Sequence, residues 1–89
     1  MTDSKRRAKA QAELEAFGIG YELKELRKSM GMTQREVAQI LGTTQPRVSQ
    51  IENGELEGLE LSTLRSYVAA LGGSLDIIAT VGPRSVRVA

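Results

Sequence analysis

Gln45, Arg47, Ser49 and Gln50 fall within six consecutive residues. Their shared property is the ability to hydrogen-bond, the two glutamines and the arginine at two points at once. A glutamine amide carries an acceptor and donors on one plane, so it can bond an adenine edge twice, and the arginine fork can do the same for guanine. Other chemistries are poorly supplied. The 89 residues contain no cysteine and no histidine, which removes disulfides, thiolate nucleophiles, imidazole bases and nearly every transition-metal site. No enzyme activity, metal or cofactor is therefore expected. The carboxylates Glu52, Glu55, Glu57 and Glu60 lie in a polar, glycine-containing stretch without an apolar pocket to raise a pKa, so they are expected to form a solvated connection. The net charge is +1, too small to argue for a nucleic-acid partner by itself. Only the positions of particular residues can point to such a partner.

Local signals around these residues define two short helices. Thr33-Gln34-Arg35-Glu36 is a capping box, with Met32 and Val37 placed as a hydrophobic staple. Val37, Ala38, Ile40 and Leu41 are the expected buried face, and Gly42 ends the helix. After the turn Gly42-Thr43-Thr44, Thr44 caps a second helix with Pro46 in its first turn, where a missing amide hydrogen costs little. Val48 and Ile51 point inward, and Asn53-Gly54 closes the element. Two helices joined by a glycine-containing turn, the second exposing Gln45, Arg47, Ser49 and Gln50, make a helix-turn-helix.

The flanking segments complete a small core. Residues 3–17 favour helix by composition but carry little apolar surface beyond Leu14 and Phe17. Gly18-Ile19-Gly20 is expected to interrupt or loosen that helix. Another then begins near Tyr21, with Leu23, Leu26 and Met30 as its buried stripe and Gly31 at its end. Beyond the acidic connection, Leu61, Leu64, Val68 and Leu71 follow a helical period, with Ser62 as the expected cap and Gly72-Gly73 as the stop. Residues 74–81 then alternate as a strand, Gly82-Pro83 turns, and Val86 and Val88 return as the second strand of a hairpin. A lone hairpin is marginal in water, so this one is expected to pack on the helices or pair with a second chain. The chain thus divides into a helical or partly ordered arm (residues 1–20), a helix-turn-helix domain (21–72) and a β-hairpin that could serve dimerisation (73–89). Lys5, Arg6, Arg7 and Lys9 have no apolar stretch behind them and do not form a secretory signal. They could serve as an arm on DNA, a partner-facing helix or a solubilising end. No apolar run approaches the ~20 residues of a membrane span, and a cytoplasmic location is expected.

The run TQREVAQILGTTQPRVSQIENG resembles the DNA-binding core of the lambdoid phage repressor and Cro-like family, also called XRE, and the resemblance extends over residues 23–71. It implies a mainly α, lambda-repressor-like domain of four to five helices, here with a short C-terminal β-hairpin. It also implies that Thr44, Gln45, Arg47 and Gln50 contact base edges, that Gln34 and Asn53 contact phosphates, and that Arg27 and Glu52 form an internal structural ion pair. Thr43, first of all a turn residue, is a further phosphate candidate. The longer run RVSQIENGELEGLELSTLRSYVAALGGSLDIIATVG resembles the C-terminal half of HigA-type antitoxins. That resemblance implies a homodimer that binds a palindromic operator in its own promoter and neutralises a RelE/HigB-like ribonuclease toxin. A stand-alone XRE-type repressor or a protein-interaction module that has lost DNA contacts would share residues 23–71. The first 20 residues match the family poorly, so no toxin-binding residue carries over.

Overall fold

A computed structural model describes residues 2–55 and 60–89; Glu57 of the acidic connection, and the side chain of Lys5, lie outside what is described. The Ala-, Glu- and Lys-rich N-terminal segment forms α1, Thr2–Ser29, followed by α2, Gln34–Leu41, α3, Gln45–Glu52, and α4, Leu61–Ala70. The expected break at Gly18-Ile19-Gly20 is absent. Gly20 is buried in the α1–α3 crossing, where an added Cβ would stand 2.7 Å from the Glu52 carbonyl oxygen and 2.8 Å from that of Ile51. Gly54 faces the same seam, its would-be Cβ 2.4 Å from the Phe17 Cα. The two glycines let backbone meet backbone, and this packing outweighs the roughly 1 kcal/mol a mid-helix glycine costs.

That contact also selects which face of α1 is inside. Ala16, Gly20, Leu23 and Arg27 are buried at helical spacing, whereas Leu26 and Met30, expected in the buried stripe, are 49% and 60% exposed. In α2, Val37 and Ala38 are buried and Leu41 packs on the core, but Ile40 points outward and is 60% exposed, contrary to expectation. The buried arc of α2 runs from Val37 through Leu41 to Ala38, and Ile40 lies on its solvent side. The capping box forms in both directions. Thr33 Oγ1 accepts from the Glu36 amide at 3.1 Å, and Glu36 Oε1 accepts from the Thr33 amide at 3.0 Å. Gly42 ends the helix in the left-handed region, φ 68°. Met32, the staple partner of Val37, packs against the core.

α4 starts one residue before the expected cap: Glu60 is its N-cap, with no side-chain capping bond, and Ser62 lies within the first turn. Leu64 already bonds the Glu60 carbonyl at 3.0 Å, so Leu61 is helical and no cap role is left for Ser62. Leu23, Val37, Ala38, Val48, Ile51, Tyr67, Val68 and Leu71 form the core. Tyr67, fully buried, was not among the expected core residues.

The strand pattern yields a hairpin, β1 Ile78–Val81 and β2 Arg84–Arg87, antiparallel with Ile78 opposite Arg87 and Val81 opposite Arg84. Gly82-Pro83 is the turn. β1 is shorter than the alternation from residue 74 suggests: Leu75 keeps the half-buried side of the pattern and packs on the helical core, but the ladder with β2 begins only at Ile78. The pairing continues past β1 at its open end, where the Val88 amide donates to the Ile77 carbonyl and the Ile77 amide to that of Ala89, both at 2.9 Å. By this register Ile77, Ala79, Val81, Val86 and Val88 share one face, mostly apolar, with Arg84 beside Val81 at the turn end. Val81, Val86 and Val88 on it are exposed. Among the described residues, no helix is long and apolar enough to cross a membrane.

Candidate nucleic-acid interface

The helix-turn-helix is held by two N-caps and one core. Thr44 Oγ1 accepts from the Arg47 amide at 3.3 Å, so the residue implied as a base contact also starts α3. Its hydroxyl hydrogen is free to be donated outward. Val48 and Ile51 lock α3 against Val37 and Ala38, leaving Gln45 exposed at the start of the helix and Gln50 exposed on its outer face. Arg47 is half-buried. It lines a shallow groove with Leu41, Thr43, Ile51, Ser62 and Thr63. Thr43 and Asn53 are exposed at the two ends of α3, Asn53 as its C-cap. The structure therefore brings Gln34 to Gln45 and sets Arg47 beside Thr43 in a separate groove, with Thr44 between them as the N-cap of α3, Gln50 on its outer face and Asn53 at its far end.

Behind this face lies a buried polar cluster. Glu52 is not part of a solvated connection: it is the last residue of α3 and 5% exposed. Arg27 Nε donates to Glu52 Oε2 at 2.7 Å and Arg27 Nη2 to Oε1 at 3.0 Å, a bidentate ion pair. Arg27 Nη1 also donates to the Met32 carbonyl at 2.8 Å, tying α1 to the loop before α2. The Tyr67 hydroxyl donates to Glu52 Oε2 at 2.6 Å, and Gln34 Nε2 donates to Oε1 at 3.1 Å. The carboxylate accepts four hydrogen bonds, matching its capacity. Burial works to raise the Glu52 pKa, but hydrogen bonds from Arg27, Tyr67 and Gln34 together outweigh it and leave the group below its ordinary value. The Glu52 hydrogen bond is the main reason the Arg27 pKa is raised. Burial, reinforced by the bond to Glu52, pushes the Tyr67 hydroxyl well above the usual tyrosine value. The spacing of Leu64, Tyr67, Val68 and Leu71 marks Tyr67 as facing inward, and a buried tyrosine needs a partner for its hydroxyl. That is the signal by which its role could have been found.

The cluster reaches the surface through Gln34, whose Oε1 accepts from Gln45 Nε2 at 3.4 Å. Residues 23–78 match a helix-turn-helix family. A protein of Mycobacterium tuberculosis named antitoxin HigA3 is 42% identical over 86 residues, covering 96% of this chain and 79% of its own. The chain belongs to the HigA antitoxin family. A second protein of the same organism, named antitoxin HigA2, is 40% identical over 85 residues, covering 96% of this chain and 80% of its own. Among solved structures, a DNA-bound antitoxin HigA3 superposes with a TM-score of 0.66 at 46% identity, over 74% of this chain and 86% of that one. A HigA antitoxin described as bending DNA through a unique dimerization superposes with a TM-score of 0.65 at 47% identity, over 73% of this chain and 85% of that one. Membership in a helix-turn-helix antitoxin family agrees with the lambda-repressor-like fold and with the expectation that the protein is not an enzyme.

Proposed function

We propose that this HigA-family chain is a dimeric, cytoplasmic antitoxin that binds a palindromic operator in its own promoter and represses it by occlusion. It also silences a RelE/HigB-like ribonuclease toxin by direct contact. The observation that carries the DNA reading is the solvent-exposed surface of α3, where Gln45, hydrogen-bonded to Gln34, and Gln50 are exposed on a helix capped by Thr44 and locked by Val48 and Ile51. Thr44, Gln45, Arg47 and Gln50 contact base edges in the major groove. Gln34, Thr43 and Asn53 contact phosphates, helped at Gln34 by the positive end of α2. One eight-residue helix touches few base pairs, so a two-fold dimer sets two such helices about 34 Å apart, one duplex turn.

Selection from random duplexes tests this reading. The wild-type chain is expected to recover an inverted repeat. Arg47→Ala or Gln50→Ala should each lose about 1–3 kcal/mol of discrimination at one base pair per half-site. Asn53→Ala should weaken binding to every sequence alike and lower the salt slope. An Arg47→Ala variant that keeps the wild-type preference would remove Arg47 from the set.

The dimer contact is assigned to the hairpin, whose face of Val81, Val86 and Val88 is exposed on one side and whose strands have unpaired edges. Sedimentation equilibrium is expected to give a dimer for the wild type and a monomer for Val81→Asp/Val86→Asp, and a heavier, ribonuclease-silent complex for the wild type mixed with the adjacent gene product. A dimeric double variant would reject the hairpin. An unbound and still active ribonuclease would reject the toxin partner.

A further inference from the structure

We propose that Glu52 is a specificity-determining residue, which acts through Gln34 to fix which way round the Gln45 amide faces and so makes the base pair beneath Gln45 an adenine site rather than a guanine site. This rests on the reading of Gln45 as a base contact. The inference follows from donor and acceptor bookkeeping along three side chains. A carboxylate can only accept. Glu52 is buried and ion-paired to Arg27 at 2.7 Å, so the group Gln34 turns toward it must be the NH2, as the 3.1 Å contact from Gln34 Nε2 to Glu52 Oε1 records. The other end of the Gln34 amide, its carbonyl oxygen, then faces outward. An oxygen there demands a donor, and Gln45 Nε2 supplies it at 3.4 Å.

Gln45 is left with one N–H and its carbonyl oxygen to present to a ligand. Adenine offers an N7 acceptor and an N6 donor in the major groove, and this pair of groups is its complement. Guanine offers two acceptors, N7 and O6, so the outward Gln45 oxygen would meet another acceptor. The terminal torsion of a free glutamine has broad, two-fold preferences. An unlocked Gln45 could therefore swing both N–H groups toward guanine. The discrimination is set in the core and expressed at the surface: Glu52 lies at the end of α3 against Arg27 and Tyr67, and Gln45 at its exposed start.

Two measurements test it. In the free, full-length 15N-labelled chain, the side-chain NH2 of Gln34 is expected to exchange with solvent at least about tenfold more slowly than that of the exposed Gln50, because it is hydrogen-bonded and partly buried. Equal rates would overturn the proposal without touching the DNA reading. In selections from random duplexes, Gln45→Ala identifies the base pair that Gln45 contacts by abolishing its preference. Gln34→Met, which leaves Glu52 in place, is expected to lower the adenine-to-guanine ratio at that pair about tenfold while other positions keep theirs. Any general loss of affinity from a missing phosphate contact cancels in this ratio. Glu52→Gln, whose amide can donate as well as accept, should reproduce the fall; if its melting curve shows it unfolded, Gln34→Met decides alone. An unchanged ratio in Gln34→Met, or in a folded Glu52→Gln, overturns the proposal while the base contact stands. No change of any preference in Gln45→Ala overturns the base contact and the proposal with it.

Discussion

Arg27→Ala is expected to lose about 3–5 kcal/mol of folding stability, because it strands the Glu52 carboxylate in the core without its counter-charge. The Arg27 and Glu52 side chains are only 9% and 1% exposed, so solvent cannot take over the missing partner. A domain of this size has about 5–15 kcal/mol to lose, and the midpoint of thermal unfolding should fall by about 20 °C. Tyr67→Phe, which removes one of the four hydrogen bonds and leaves the ion pair, should cost less, about 1.5–3 kcal/mol. Replacing the cluster by apolar groups, Arg27→Met with Glu52→Leu and Tyr67→Phe, should recover much of the Arg27→Ala loss, since no charge is then left buried. Urea unfolding followed by circular dichroism measures all three, and an Arg27→Ala loss below about 1 kcal/mol would mean that the cluster does not hold the fold.

The same cluster sets a pH dependence with a definite sign. The native Glu52 pKa is lowered, so its contribution is fully present above the ordinary carboxylate value and is lost as the pH falls through that value and the native one. The native Tyr67 pKa is raised. Its contribution holds below the ordinary tyrosine value and is lost as the pH rises beyond it. Wild-type stability should therefore decline at both extremes. The acid limb should be shallower in the Arg27→Met/Glu52→Leu/Tyr67→Phe chain, which lacks the carboxylate.

Gly54→Ala is expected to destabilise the chain by about 3 kcal/mol, near the upper end for overpacking, and Gly20→Ala by a similar amount. At Gly54 the added methyl would stand 2.4 Å from the Phe17 Cα and 2.5 Å from the Ala16 carbonyl oxygen, at a φ of +74°. A left-handed φ adds roughly 1 kcal/mol of strain for an L side chain. At Gly20 the obstructions are backbone atoms of Ile51, Glu52 and Gly54 at 2.7–2.8 Å. Neither set can rotate away, as a side chain could. Gly18→Ala should have the opposite sign, stabilising by about 0.5–1 kcal/mol, because its Cβ meets nothing within 4 Å and only the helix propensity changes. Chemical denaturation of the three variants separates a glycine kept for close approach from one that is dispensable. A stable Gly54→Ala chain would show that α1 and α3 can part without cost.

Much of the helix-turn-helix was legible along the chain because its signals act over a few residues. Thr33 reaches Glu36 and Thr44 reaches Arg47 across a single turn, and Gly42 ends α2 by its own backbone conformation. The alternation around Gly82-Pro83 likewise sets the hairpin. The exposure of Gln45 and Gln50 agrees with the same local pattern, whereas Arg47 and Ser49, also expected outward, are half-buried. The structure departs from the local pattern where the deciding partner is distant in the chain. Gly18-Ile19-Gly20 reads as a break because glycine weakens an isolated helix, yet α3 needs Gly20 in order to pack. Leu26 and Met30 read as core because they are apolar, yet the α3 crossing turned Gly20 and Arg27 inward instead.

Read along the chain alone, the residues define the helix-turn-helix: where its helices begin and end, and that Gln45 and Gln50 stay exposed on α3. Those features depend on caps, turns and helical period, all interactions between near neighbours. Packing between distant segments makes α1 continuous, makes Glu52 a core acceptor and brings Tyr67 and Gln34 to share it. Arg27 and Glu52 are 25 residues apart, Gln34 and Glu52 are 18 and Tyr67 and Glu52 are 15. A buried carboxylate is tolerable only when all these donors converge, and no local pattern records that convergence.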